Sequence, residues 1–206
     1  MNPHSMKTSR IVLTIILAVV AGVGAWSINR LQHPSTQPSQ LPVLGTVPEF
    51  SLRDQNNHVF QRKDLAGHPF ILEFFFTSCT QFCSDMTEKM KGVRAALGPA
   101  SKIPTVSISV DPDDDTPTVL RSYAKAHQAD LPMWHFLTGP KATIGRIMQA
   151  LYLMPSGDPS KLTPGEHSKR FILVDGTFRT RGYYDYSNPS SLRQLVKDAL
   201  ALEAAR

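Results

Sequence analysis

The chain reads as an α/β sandwich around a mixed central sheet, and three observations predict it. Short apolar runs alternate with stretches of helical period along most of its length. The most apolar of them, Phe70-Ile71-Leu72-Glu73-Phe74-Phe75-Phe76, has the length of a buried strand and hands over directly to a polar, helical stretch. Near the end, two strand-like runs flank Asp175-Gly176, a hairpin signal, and an amphipathic helix follows. Alternation that closes on a hairpin and a helix packs helices over a mixed sheet.

The elements follow in order. Ile11 to Ile28 is apolar or small except for Thr14 and Ser27, with Lys7 and Arg10 before it and Arg30 after. Its length is near the lower limit for crossing a bilayer and exceeds the usual core of a signal peptide. Residues 11–28 are therefore read as a transmembrane anchor in preference to a cleaved signal segment ending near Val23-Gly24-Ala25. The flanking charge puts residues 1–10 in the cytoplasm and the rest of the chain outside it. A short N-terminal region that is not rich in arginine favours a bacterial inner membrane, with the domain in the periplasm, over a mitochondrial inner membrane. Met6-Lys7 makes a conventional start, so residues 1–5 read as an extension.

Residues 29–46 form a tether rich in Pro, Ser and Gln, and residues 47–206 are left for one domain with room for a normal core. Within it, Phe50 to Leu52 and His58 to Phe60 pair around Asp54-Gln55-Asn56-Asn57 as a hairpin. The strand Phe70 to Phe76 leads into a helix from about Thr80 to Leu97, ended by Gly98-Pro99. Ile103 to Val110 alternates as a strand, and Thr116-Pro117 opens a helix that runs to Ala126, with threonine as cap and proline in the first turn. Met133 to Leu137 reads as a strand, Lys141 to Leu151 as a helix, Met154 to Gly165 as a loop and Ser190 to Ala205 as the final helix.

The net charge of +5 is located mostly outside this domain. Lys7, Arg10 and Arg30 precede the first acid, Glu49, so the 22 basic and 17 acidic residues become 19 against 17 from Glu49 onward. The near-neutral balance, with no Lys/Arg cluster interleaved with aromatics, argues against nucleic-acid binding.

Chemistry is concentrated in the turn after the apolar strand. The only two cysteines, Cys79 and Cys83, stand four apart where a strand gives way to a helix, the place where α/β folds keep their sites. On a helix such a pair is separated by about 6 Å along the axis, so both sulfurs can face one point. With Thr77, Ser78 or Thr80 as cap, Cys79 would lie at the positive helix end, which favours the thiolate that binds metal. The spacing allows a Cys79–Cys83 disulfide with some local unwinding and suits a shared metal ion better. An exported domain makes a passive disulfide the plain alternative, but a bridge closing so short a loop stabilises little, so redox or metal chemistry is preferred.

Two thiolates leave a metal site incomplete, and histidine is the natural third ligand. His4 and His33 lie in or beside the N-terminal segment, while His58, His68, His127 and His135 have no distinctive setting. His167 stands in Thr163-Pro164-Gly165-Glu166-His167-Ser168, a loop running into the strand Phe171 to Asp175, from which it can reach over the end of the sheet.

The cysteine turn, the segment Ser109-Val110-Asp111-Pro112-Asp113-Asp114-Asp115-Thr116-Pro117 and the run from Glu166-His167-Ser168 to Leu173-Val174-Asp175-Gly176-Thr177-Phe178 occur in the order and spacing of the SCO/SenC proteins. The chain resembles that family from about Val47 to Ala201. The resemblance implies a thioredoxin-like fold and a copper chaperone for cytochrome c oxidase assembly, with copper ligands at Cys79, Cys83 and His167. It implies Cu(I), with Cu(II) a further state, and delivery to the dinuclear copper centre of subunit II or a similar client. Other copper carriers and a thiol reductant are the further partners. Thr80 and Ser84 stand where the family usually has proline, and Asp114 where a basic residue is common.

The rival reading is a thiol-disulfide oxidoreductase in which the more exposed thiol, Cys79, attacks a client and Cys83 resolves. Peroxidase activity is a weaker third. Met86 and Met90 offer soft thioethers at helical spacing, yet methionine there is more often core. Phe74 to Phe76 read as core, with Phe76 beside the site. Asp111, Asp113, Asp114 and Asp115 read as a solvated loop leading to a helix cap, and Arg179 and Arg181 as a solvated strand face.

Overall fold

The structure, a computed structural model, describes residues 41–80, 82–129, 132–153, 158, 160 and 169–205. The proposed anchor at 11–28, most of the loop from Met154 to Gly165, and His167 lie outside the described residues. Among those described, no helix is long and apolar enough to cross a membrane.

In chain order the elements are β1 (Gly45–Thr46), β2 (Ser51–Asp54), β3 (Val59–Gln61), a short 3-10 turn (Arg62–Leu65), β4 (Phe70–Phe75) and α1 (Cys83–Leu97). Then come β5 (Thr105–Ser109), α2 (Pro117–Ala126), β6 (Trp134–Thr138) and α3 (Lys141–Ala150). β7 (Arg170–Val174), β8 (Arg179–Asp185) and α4 (Pro189–Ala204) complete the domain. The strands make one sheet in the order β1-β8-β7-β4-β5-β6-β2-β3. β4, β5 and β6 run parallel, and the remaining pairings are antiparallel, so the sheet is mixed as the alternation predicted.

Every residue of β4 and β5 is buried; β4 accordingly carries apolar residues on both faces, while β5 alternates the buried hydroxyls of Thr105, Ser107 and Ser109 with Val106 and Ile108. Alternate residues serve two cores. Ile71 and Phe75 join Met86, Met90, Val93, Leu120, Tyr123, Leu195 and Ala199 beneath α1, α2 and α4. Phe70, Leu72 and Phe74 join Ile144, Ile147 and Met148 beneath α3. Met86 and Met90 are fully buried, in keeping with their reading as core. Thr116 caps α2 through its side chain, which accepts from Val119 N, and Pro117 occupies the first turn, as expected.

Two details depart from the sequence reading. Gly176 does not serve the β7–β8 turn through its backbone freedom; the left-handed residue is Phe178, at φ 68°. A Cβ at Gly176 would lie 2.7 Å from the backbone carbon of Gly67, so glycine is needed for close approach. Arg181 is not solvated. It is 7% exposed, donates to Asp175 Oδ2 at 2.9 Å, and also donates to the carbonyls of Pro42 and Leu41 at 3.1 and 2.5 Å. Arg179 and Arg181 both reach Asp175, but only Arg181 also reaches the segment leading into β1, at Leu41 and Pro42.

Asp175 gathers this corner. Burial opposes its ionisation, and hydrogen bonds from Thr177, Arg181 and the backbone of Arg179 and Thr177 together outweigh that and hold the carboxyl at about 2. A folded-state value below the unfolded one contributes stability above the unfolded value that is lost as pH falls through the folded one. Urea midpoints measured between about pH 5 and about pH 2 are expected to fall more steeply in the wild type than in Asp175→Asn. Parallel curves would show that the corner does not carry acid sensitivity.

Candidate metal centre

β4 ends at Phe75, whose carbonyl accepts from Val110 N at 2.9 Å, and the chain turns at its end through Phe76 to Phe82 before α1 begins. The helix starts at Cys83, later than the Ser/Thr signals suggested. Its N-cap is Phe82, with φ −141° and ψ −8° and no side-chain cap. Phe76, Cys79 and Phe82 pack against the core beneath α1, and this tertiary packing overrides the local capping preference of Thr77, Ser78 and Thr80. Cys83 therefore takes the first helical position, and Cys79 lies in the turn.

Both cysteines are thiols, Cys79 half-buried and Cys83 1% exposed. The two side chains hydrogen-bond each other. Burial pushes the Cys83 thiol far up, the hydrogen bond to Cys79 adds to this, a backbone hydrogen bond with Phe76 works against it, and the charges of Cys79 and Glu73 raise it further. The helix end does not make Cys83 a thiolate here; burial wins, so a metal ion must displace its proton.

The turn is anchored from a distance. Asp115, 1% exposed, accepts from Thr77 N at 3.1 Å and from the Thr77 hydroxyl, and Ser109 Oγ donates to it at 2.5 Å. The expected solvated acidic loop thus holds one buried carboxyl that fastens the start of the cysteine turn. Its neighbour Asp113 is exposed and pairs with Lys141. On the other side, the Phe82 ring stacks on Tyr186 with centroids 6.3 Å apart, and Lys169 Nζ lies 4.5 Å above it. Lys169 is the second residue after His167 in the sequence.

Among the described residues, no three His, Cys, Asp or Glu side chains gather to hold a metal ion. His58 lies 3.5 Å from Asp54, His135 packs at a tilt against Phe60 and His127 against Tyr123, and none of the three joins the thiol pair. His167, the third ligand expected from sequence, lies outside the described residues. Sequence reasoning also passed over Glu73, a single acid within an otherwise apolar buried strand. Its signal was its isolation.

The SCO1/SenC family model matches residues 40–201. A SCO2-like protein of Rickettsia prowazekii is 33% identical over 199 residues, covering 88% of this chain and 94% of the relative. Among solved structures, yeast Sco1 with copper bound superposes with a TM-score of 0.59 at 26% identity, covering 76% of this chain and 88% of the other. BsSco, described as a member of the Sco family of cytochrome c oxidase assembly proteins with a disulfide switch, superposes at 0.68. It is 21% identical, covering 79% of this chain and 96% of the other, and shows likeness of fold.

Proposed function

This chain belongs to the SCO1/SenC family, and from that premise we propose that it is a copper chaperone binding copper through Cys79, Cys83 and His167. The observation that carries the reading is the pair of mutually hydrogen-bonded thiols in the turn after the central strand, one buried and one half-buried. Thiolate sulfur is a soft donor suited to Cu(I), and a three-coordinate site is open enough to pass the ion on by ligand exchange. Lys169 over Phe82 supports His167 as third ligand, because the chain enters β7 beside the residue that precedes Cys83. The copper-bound state of the yeast relative supports the metal.

The client in this reading is subunit II of cytochrome c oxidase or a similar copper acceptor. Residues 11–28 anchor the chain in a bacterial inner membrane and residues 29–46 hold the domain off it on the periplasmic side. Cys79 takes the incoming ion because it is the accessible thiol, and Cys83 closes on it once its proton leaves.

One observation favours a second reading as thiol-disulfide oxidoreductase: the asymmetry between half-buried Cys79 and buried Cys83 suits an attacking and a resolving thiol. Histidine separates the two. The reduced protein, titrated with Cu(I) against a competing chelator, is expected to hold one equivalent tightly and to lose affinity markedly in His167→Ala. Weak binding indifferent to His167 would replace the chaperone reading with the dithiol enzyme.

A further inference from the structure

Glu73 is 1% exposed in the middle of β4. Its Oε1 accepts from Ser107 Oγ at 2.6 Å, and that hydroxyl accepts in turn from Trp134 Nε1 at 2.8 Å. Oε2 is buried with no hydrogen-bond partner among the described residues. Alternation with Ile71 and Phe75 places the carboxyl on the face covered by α1 and α2, and its charge is felt at both Cys83 and Tyr123. A carboxyl kept only for packing is costly there: an apolar side chain of similar volume is as good or better, and an orphaned oxygen adds to the penalty.

We propose that Glu73 is a proton acceptor built in behind the thiol pair, taking up a proton as Cys79 and Cys83 give theirs up to copper. The inference rests on the copper reading above. When Cu(I) binds, two S–H bonds break and two S–Cu bonds form. One of the released protons is matched by a new O–H bond on Glu73, the other goes to solvent, and no electron moves. Two thiolates and one Cu(I) leave the site with a single negative charge, and a carboxylate in the same interior would double it.

Burial lifts the Glu73 carboxyl and the Ser107 hydrogen bond pulls the other way, leaving it raised to about 7. Thiolates lift it further, so at about pH 8 it is largely ionised before loading and protonated after. The other titratable groups facing it are Cys83 from α1 and Tyr123 from α2, whose phenol burial keeps neutral. β5 and β6 present Ser107 and Trp134, while β7 and α4 present the apolar Phe171, Leu173, Leu195 and Ala199 to this core.

The test uses the full-length reduced protein and Glu73→Gln, each given one equivalent of cuprous ion as its acetonitrile complex in weakly buffered solution. At about pH 8 the wild type is expected to release about one proton fewer per copper than the variant, and at about pH 6 the same number. Equal release at both values, with copper bound, overturns the proposal. A metal-free readout is the ultraviolet thiolate absorbance of the reduced proteins, which is expected to rise at lower pH in Glu73→Gln. Superimposable thiolate titrations overturn the proposal even if neither protein binds copper, so its failure and that of the chaperone reading are separable. Should Glu73→Gln fail to fold, Ser107→Ala removes the bond that favours the carboxylate and is expected to move the drop in proton release to higher pH; an unmoved drop also overturns it.

Discussion

Changing Cys83 to serine is expected to weaken Cu(I) binding by more than the ~100-fold that accompanies loss of a residue that merely supports a metal ligand. Cys83 sits at the first position of α1, 1% exposed and beneath the cysteine turn, so no water can readily take its place beside the ion. A serine hydroxyl is a hard, neutral donor that does not ionise near neutrality, and it removes both the soft electron pair and the negative charge. The effect on folding is smaller. A buried hydroxyl in place of a thiol costs about 1–3 kcal/mol if it finds no partner, and the backbone of Phe76 and the neighbouring Cys79 offer some relief. Chelator competition and urea unfolding run on the same samples separate the two. Wild-type affinity in Cys83→Ser would place copper away from the thiol pair and remove the basis of the proposed function.

The parts of this site that were legible in the sequence are those carried by short-range pattern. Phe70 to Phe76 announced a doubly buried strand, Thr116-Pro117 announced the start of α2, and the four-residue spacing of the cysteines announced that their side chains meet. What the sequence hid depends on contacts between distant residues. Thr77 and Asp115 are 38 residues apart, and nothing near Asp115 distinguishes it from its exposed neighbours Asp113 and Asp114. Arg181 looked solvated because its partners, the carbonyls of Leu41 and Pro42, lie about 140 residues earlier on a segment with the composition of a linker. The start of α1 was misjudged because Ser and Thr are strong local cap signals, while the packing of the partly buried Phe76, Cys79 and Phe82 that displaced them is a tertiary effect. Glu73 is the opposite case: the acid was plain to see, and only its buried hydrogen-bond chain to Trp134 gives it meaning.

Asp115→Ala is expected to weaken Cu(I) binding by about 10–100-fold while leaving every proposed ligand in place. The carboxyl accepts from the backbone and hydroxyl of Thr77, two residues before Cys79, and from Ser109 at the end of β5, so it fixes where the cysteine turn leaves the sheet. Without it, three donors lose their acceptor in a buried corner. Each such bond to a carboxylate contributes about 1.5–3 kcal/mol, of which rotation of the two hydroxyls toward other partners recovers part, so a net stability loss of about 3 kcal/mol is expected. Asparagine is expected to cost less than alanine: its oxygen can keep accepting from Thr77 N and Ser109 Oγ, while its amide nitrogen faces the Thr77 hydroxyl, which can rotate to accept. Asp113→Ala is the control, because that carboxyl is exposed and its pairing with Lys141 is a surface contact worth at most about 1 kcal/mol. If the acidic loop acted through its charge, the two alanine variants would weaken copper similarly; if Asp115 acts by fastening the turn, only its loss does so. Asp115→Ala that unfolds more easily yet binds copper as tightly as wild type would confine this carboxyl to the fold and leave the cysteine turn able to hold its shape unaided.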